Sequence, residues 1–171
     1  WSRVNGLLLI SGAFGVFHKE SVVAVGGYAT GTIGEDMELI VRMHRLLPKM
    51  GRAKHIAFTP DPVCWTEAPE KLKDFRGQRV RWHRGLSESL WLNRGLLFAR
   101  DGGAAGWLAF PYYVLFEWLS PFIELAGYLF TLYILIATDM PFSQIAIVYL
   151  FAVSLSVFLS TIGFLMDEIT F

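Results

Sequence analysis

Two clusters in this sequence have residue types and spacing suited to chemistry. The first is Gly34-Glu35-Asp36, at the start of a segment with helical periodicity. A carboxylate at a loop-to-helix junction, under a glycine-rich segment, is well placed to take a proton from an incoming hydroxyl. Thr32 and Glu35 also have capping-box spacing, and Glu35, Asp36 and Glu38 in the first turns favour the positive end of the helix dipole. Capping accounts for Glu35 and leaves Asp36 available as a general base. The second cluster is Gln78, Arg81 and Trp82, spaced i, i+3, i+4, which one helix presents across an arc of about 100°. Each suits a part of a sugar nucleotide: a guanidinium grips phosphate, an amide bonds hydroxyls or phosphate, and an indole offers a face for a pyranose. The same residues equally suit membrane anchoring, with Trp82 in the headgroup belt and arginines on lipid phosphates. Spacing does not separate these two roles.

The elements that must position these clusters can be read from periodicity. From Gly34 to Leu47 the apolar positions Leu39, Ile40, Met43, Leu46 and Leu47 recur at helical spacing, and Pro48 ends the run. A second helix is expected from Pro69 to about Asn93, with the proline in its first turn. On it Leu72, Phe75, Trp82, Leu86 and Leu90 form one stripe, and residues 71–100 carry eight bases against two acids. A basic amphipathic helix just before an apolar span suits an anionic membrane surface. Val4 to Phe17, apolar and punctuated by Ser11, Gly12 and Gly15, reads as a buried strand approached closely by other backbone. Gly26-Gly27-Tyr28 marks a turn, and Ile56 to Trp65 reads as two short extended pieces. Residues 1–106 are therefore expected to be mixed α/β.

Further along, residues 107–137 contain only Glu117 and Glu124 as charges, and residues 142–166 contain none. About 20 apolar residues suffice to span a bilayer. Two antiparallel transmembrane helices joined at Thr138-Asp139-Met140-Pro141 are expected, with residues 1–106 on the cytoplasmic side of an inner or plasma membrane by the positive-inside bias. An acid in hydrocarbon is costly, so Glu117 and Glu124 should face protein or water. An ion pair with a base of the preceding helix is expected for Glu117. For Glu124 the choices are a polar partner outside the spans, protonation, or a hydrated path.

The 171 residues are 54% hydrophobic and 15% aromatic, too apolar for a disordered tail or an ordinary soluble domain. Formal charge is zero, yet residues 1–106 hold all 15 Lys and Arg with ten of the 15 acids, an excess of five bases. The last 65 residues carry five acids and no base, a distribution that excludes a nucleic-acid binder with its basic patch spread along the chain. The single cysteine, Cys64, excludes a disulfide framework and a cysteine-based zinc cluster, and reads as a small buried hydrophobe. His18, His44, His55 and His83 show no metal-ligand spacing. Residue 1 is Trp, and the chain is expected to be a piece of a longer protein.

Taken together, Ser11-Gly12-Ala13-Phe14, Gly26-Gly27-Tyr28, Gly34-Glu35-Asp36 and Gln78-Arg79-Val80-Arg81-Trp82, followed by transmembrane helices, resemble the C-terminal half of membrane-embedded family 2 glycosyltransferases. These include cellulose, hyaluronan and poly-N-acetylglucosamine synthases. The most specific element is the ordered pair of a Glu-Asp motif and a QxxRW motif about 40 residues apart. The resemblance implies the C-terminal part of an α/β, GT-A type catalytic domain at residues 1–68, an interface helix and connector at 69–106, and a transmembrane hairpin at 107–171. It makes Asp36 the general base. It gives donor or acceptor contacts to Gln78, Arg79, Arg81, Trp82, Glu35, Ser11 and Gly12, and allows Glu117 and Glu124 to line a polysaccharide channel. Implied partners are a nucleotide-sugar donor, a glycan acceptor, membrane lipids and an N-terminal half of the same protein. A divalent cation, Mg²⁺ or Mn²⁺, is implied for the whole enzyme, with ligands outside this piece, since Asp61-Pro62-Val63 lacks the second acid of an Asp-x-Asp motif. The usual Thr before Glu-Asp is Gly34 here. Two other functions fit the same composition: a non-catalytic membrane subunit, and a transporter piece worked by Glu117 and Glu124.

Overall fold

A computed structural model describes residues 1–10, 12, 14–52, 55–58, 64, 65, 67–137 and 141–169, with side chains to residue 162. The chain divides into two units, Trp1–Ser120 and Pro121–Phe171. Helices α1 (Lys19–Ala24), α2 (Glu35–Leu46) and α3 (Leu72–Leu92) belong to the first unit. A π-helical turn (Ala105–Ala109), the short α4 (Phe110–Tyr112) and a second π-helical turn (Tyr113–Trp118) follow them there. Helices α5 (Ser120–Ala137) and α6 (Phe142–Ile169) complete the chain.

The α/β class does not hold, because among the described residues none lies in a strand. The apolar run from Val4 is not a strand at its described residues, and such a segment becomes one only when a neighbour takes up its backbone groups in a ladder. The hydrogen bonds around it run through side chains instead. The Ile56 and Phe58 amides, two residues apart as in a ladder, donate to Asn5 Oδ1 at 3.2 Å and to Ser2 Oγ at 3.0 Å. The buried His44 of α2 donates from Nε2 to the Leu7 carbonyl at 2.9 Å. Polar side chains on the N-terminal segment thus displace the ladder that its apolar pattern alone would favour.

Helix α2 is the centre of the first unit. Met37 through Val41, then Met43 and His44, are all buried, so the helix is covered on every side. Pro48 opens a 3₁₀ turn after α2, and Gly51 leaves that turn at a φ of 66°. One apolar cluster joins Leu8, Met37, Val41, Leu90, Phe110 and Tyr113. A second, smaller one joins Val25, Leu39, Met43 and Leu47. Burying each such side chain contributes roughly 1.5–3 kcal/mol. One buried charge and one half-buried charge accompany them. Glu38, 4% exposed, pairs with Arg42 at 2.9 Å and accepts from Asn93 Nδ2 at 3.2 Å. Arg42 also donates to the carbonyls of Val25, at 3.1 Å, and Gly27, holding α2 to a turn whose glycines have φ of 95° and 73°.

The long apolar stretch after Gly106 is divided between the units. Residues 105–118 belong to the first, where Ala105, Ala109, Phe110 and Tyr113 enter the core, and Pro111 sits between the two π turns. Proline lacks an amide hydrogen and crowds the preceding turn, a common origin of such irregular helix. The helices long and apolar enough to cross a membrane are α5, with a mean hydropathy of 1.6, and Phe142–Ile162 of α6, at 2.3. In this second unit the Thr131 and Tyr149 hydroxyls are hydrogen-bonded at 2.7 Å, joining α5 to α6.

Candidate functional site

Asp36 is the second residue of α2 and is half-buried. Its Oδ1 accepts the Met37 amide at 2.7 Å. Its Oδ2 lies beneath Gly12, where a β-carbon would stand 2.6 Å away. A side chain at residue 12 would displace that carboxylate, so Gly12 and Asp36, 24 positions apart, belong to one constellation. Ser11 lies outside the described residues. Glu35 is exposed in the same first turn.

The capping box expected from Thr32 and Glu35 does not form. Gly34 is the N-cap, no side chain caps the helix, and the buried Thr32 hydroxyl has no hydrogen-bond partner. The loop is held from outside instead. The Ile33 amide donates to Glu88 Oε2 at 3.0 Å, and Ser89 Oγ donates to the Gly34 carbonyl at 3.4 Å. Between these contacts Gly34 and Gly85 meet backbone to backbone, and a β-carbon on Gly34 would lie 2.9 Å from the Gly85 Cα. Arg84 Nε donates to Glu88 Oε1 at 2.8 Å. The Ile33 amide, and then Arg84, hold the Glu88 carboxyl below the usual glutamate range. A depressed carboxylate keeps its contacts above that range and loses them only as pH falls below it.

This crossing sets the start of α2 against α3 about one turn from the second cluster. Trp82 precedes Gly85 by about 4.5 Å along the axis, and Gln78 by about 10 Å, at 1.5 Å per residue. Gln78, Trp82, Gly85 and Ser89 follow one another at spacings of three and four, so they share one face of α3. Gln78 is half-buried, whereas Arg79, Arg81 and Trp82 are exposed. The Arg79 guanidinium stacks over Phe75 at 4.8 Å and over Trp82 at 4.9 Å. A stacked guanidinium keeps its edge donors available for an anion while its faces are covered by aromatic rings. The apolar stripe divides: Leu90 is buried and Leu86 partly so, but Leu72, Phe75 and Trp82 are exposed.

The remaining candidates lie elsewhere. Glu117 is exposed on the second π turn and forms no ion pair: among the described residues the pairs are Glu38–Arg42 and Glu88–Arg84. The bases of α3 have other surroundings, Arg84 bound to Glu88 and Arg79 stacked on rings. Glu124 is exposed on α5, one heptad before Thr131 and so on the face that meets Tyr149. Cys64 is exposed rather than buried. Asp61 lies outside the described residues, and among those residues no group of three His, Cys, Asp or Glu could hold a metal ion. Sequence reasoning missed Glu38, Arg42, Gly85, Glu88, Ser89 and Asn93. An i, i+4 acid–base spacing marks Glu38 and Arg42, and a glycine inside a helix at a cost of about 1 kcal/mol marks Gly85 as a packing position.

The sequence profile of glycosyl transferase family group 2 matches residues 2–166. The chain belongs to that family. Over 81 residues it is 38% identical to the poly-beta-1,6-N-acetyl-D-glucosamine synthase of Staphylococcus aureus, the same in strains COL and N315, covering 47% of this chain and 18% of the synthase. Over 88 residues it is 33% identical to a candidate cellulose synthase, cellulose synthase 2 of Komagataeibacter xylinus, covering 52% of this chain and 5% of that protein. The chain thus spans under a fifth of the length of these relatives. No solved structure matches this family member.

Proposed function

We propose that this chain supplies the acceptor side of a membrane-bound, inverting and processive glycosyltransferase that extends a polysaccharide from a nucleotide-sugar donor. The observation that carries the proposal is Asp36, a half-buried carboxylate under Gly12 in the first turn of α2, whose N-cap Gly34 abuts Gly85, three residues after Trp82 on α3. In the reaction an acceptor hydroxyl gives its proton to Asp36 while its oxygen attacks the anomeric carbon. The bond from that carbon to the diphosphate breaks on the opposite face, inverting the centre. Trp82 stacks on the acceptor sugar, Gln78 bonds its hydroxyls or a phosphate, and Arg81 with Arg79 meets the charge that grows on the leaving diphosphate. Glu35, Ser11 and Gly12 complete the contacts, and Glu117 of the first unit and Glu124 of α5 are assigned to the hydrated path along which polymer leaves.

Donor binding is assigned to an N-terminal half of the same protein, as is any Mg²⁺ or Mn²⁺. The exposed basic half of α3 rests on the cytoplasmic leaflet, with Leu72 and Phe75 towards the lipid. Asp36→Asn in the full-length protein tests the assignment. Turnover falls by about 10²–10⁴ while nucleotide binding is kept, because Asn cannot accept the proton. Wild-type turnover would remove Asp36 from the mechanism.

A further inference from the structure

Three contacts from a single stretch of α3 converge on the two residues that introduce α2. Glu88 takes the Ile33 amide at 3.0 Å, Gly85 abuts Gly34, and Ser89 reaches the Gly34 carbonyl at 3.4 Å. The Gly34 carbonyl is at the same time the acceptor for the Glu38 amide at 2.9 Å, the first hydrogen bond of α2. Nothing within the loop competes for these positions, since the Thr32 hydroxyl makes no hydrogen bond and no side chain caps the helix. The direction in which α2 begins, and with it the Asp36 carboxylate, is therefore set from α3 and not by the loop itself. Of the three contacts, that of Glu88 is the one made by a charged group, to the loop amide just before the N-cap, and charge-assisted bonds of this kind are about twice as strong as neutral ones.

We propose that Glu88 is a positioning residue for glycosyl transfer: its carboxylate latches the Ile33–Gly34 backbone onto α3 and so aims Asp36 at the acceptor held beside Trp82. Arg84, bonded to the other oxygen at 2.8 Å, fixes the rotamer that lets Glu88 reach Ile33. The latch couples the Glu-Asp and QxxRW motifs, which lie on different elements, and it acts beside the Gly34–Gly85 contact and the Ser89–Gly34 hydrogen bond. It rests on Asp36 being the base, and the test separates the two ideas.

The experiment uses the full-length protein in membranes, with initial rates at varied nucleotide sugar and hydrogen exchange of the Ile33 amide. Glu88→Ala lowers kcat about tenfold, since misplacing a reacting group by about 1 Å can cost 10²-fold. The KM for donor stays within about twofold, because the latch does not touch the donor. Ile33 exchanges faster in the same variant. Glu88→Gln, which keeps an acceptor oxygen at the same reach, restores both kcat and slow exchange. In an Asp36→Asn background Glu88→Ala lowers the residual rate no further, as expected of a residue acting through Asp36. Should Glu88→Ala fail to accumulate, Glu88→Asp withdraws the carboxylate by one methylene and gives the same pattern. Wild-type kcat in Glu88→Ala, a Gln variant as slow as the Ala one, or unchanged Ile33 exchange overturns the latch. An active Asp36→Asn protein overturns the base assignment instead, and Ile33 exchange still decides whether Glu88 holds the loop.

Discussion

Gly85→Ala puts the helix crossing under direct strain. A methyl on residue 85 would stand 3.0 Å from the Gly34 Cα and 3.1 Å from its nitrogen, both backbone atoms that no rotamer change can move. Carbon contacts settle at about 3.5–4.0 Å, so α2 and α3 must part by roughly 0.5–1 Å at this point. Overpacking of that size costs about 1–3 kcal/mol, and replacing a helical glycine returns about 0.5–1 kcal/mol. The net loss is about 1–2 kcal/mol, which lowers Tm by roughly 5 °C for a unit of this size. Gly77, on the same helix, is the control, because a β-carbon there meets nothing within 4 Å. Gly77→Ala keeps the propensity gain without the clash and raises Tm by a few degrees. Separation at Gly34 also carries to Asp36, and turnover of Gly85→Ala falls about 10- to 100-fold. The assay is thermal unfolding in detergent alongside initial-rate kinetics. Equal Tm shifts of the same sign in both variants would show that the crossing is not close-packed, and the account of why residues 34 and 85 are glycines would fail.

Two further substitutions separate binding from catalysis and structure from both. Trp82→Ala weakens acceptor binding chiefly, raising its KM, whereas Arg81→Ala lowers kcat and weakens donor binding, so opposite entries in a KM-against-kcat comparison are expected. If both variants merely leave the membrane fraction with unchanged kinetics, α3 is an anchor alone. Arg42→Met leaves the buried Glu38 carboxylate without its cation and the Val25 and Gly27 carbonyls without a donor, costing about 3–5 kcal/mol in urea unfolding. Adding Glu38→Gln recovers part of that loss, and a single-variant loss below about 1 kcal/mol would mean that the pair is solvated.

The helices that carry the chemistry are legible in the sequence for identifiable reasons. Leu39, Ile40, Met43 and Leu47 repeat at helical spacing up to a proline, and α2 ends where that pattern stops. Leu86 and Leu90 do the same for the C-terminal half of α3, while Pro69 lies before the helix and not within its first turn. Three features needed knowledge of neighbours. Val4–Phe17 has the composition of a strand, but whether it joins a ladder depends on Ser2 and Asn5 meeting residues 56 and 58, over fifty positions away. The Thr32–Glu35 spacing satisfies a capping box locally, yet Glu88 reaches the loop first. Residues 107–118 carry one charge and run on into the apolar α5, and only the packing of Ala109, Phe110 and Tyr113 on Leu8 and Val41 shows that they finish a core. Of the candidate site, Asp36 and the Gln78–Trp82 group were legible as separate motifs. Their juxtaposition was not, because the two glycines that create it carry no side-chain signal.

The make-up of that core has a consequence for biosynthesis. Its members run from Leu8 to Tyr113, so the Met37–Val41 side of α2 is not fully covered until nearly the whole first unit has left the ribosome. The apolar α5 follows within a few residues. Domains generally fold as units while synthesis proceeds at about 5–20 residues per second. Closure of the first unit and delivery of α5 to the insertion machinery thus fall within seconds of each other, and a ribosome stalled before Ala105 would display a nascent chain whose central helix lacks the cover of Ala105, Ala109, Phe110 and Tyr113, a substrate for chaperones and proteases rather than for the membrane.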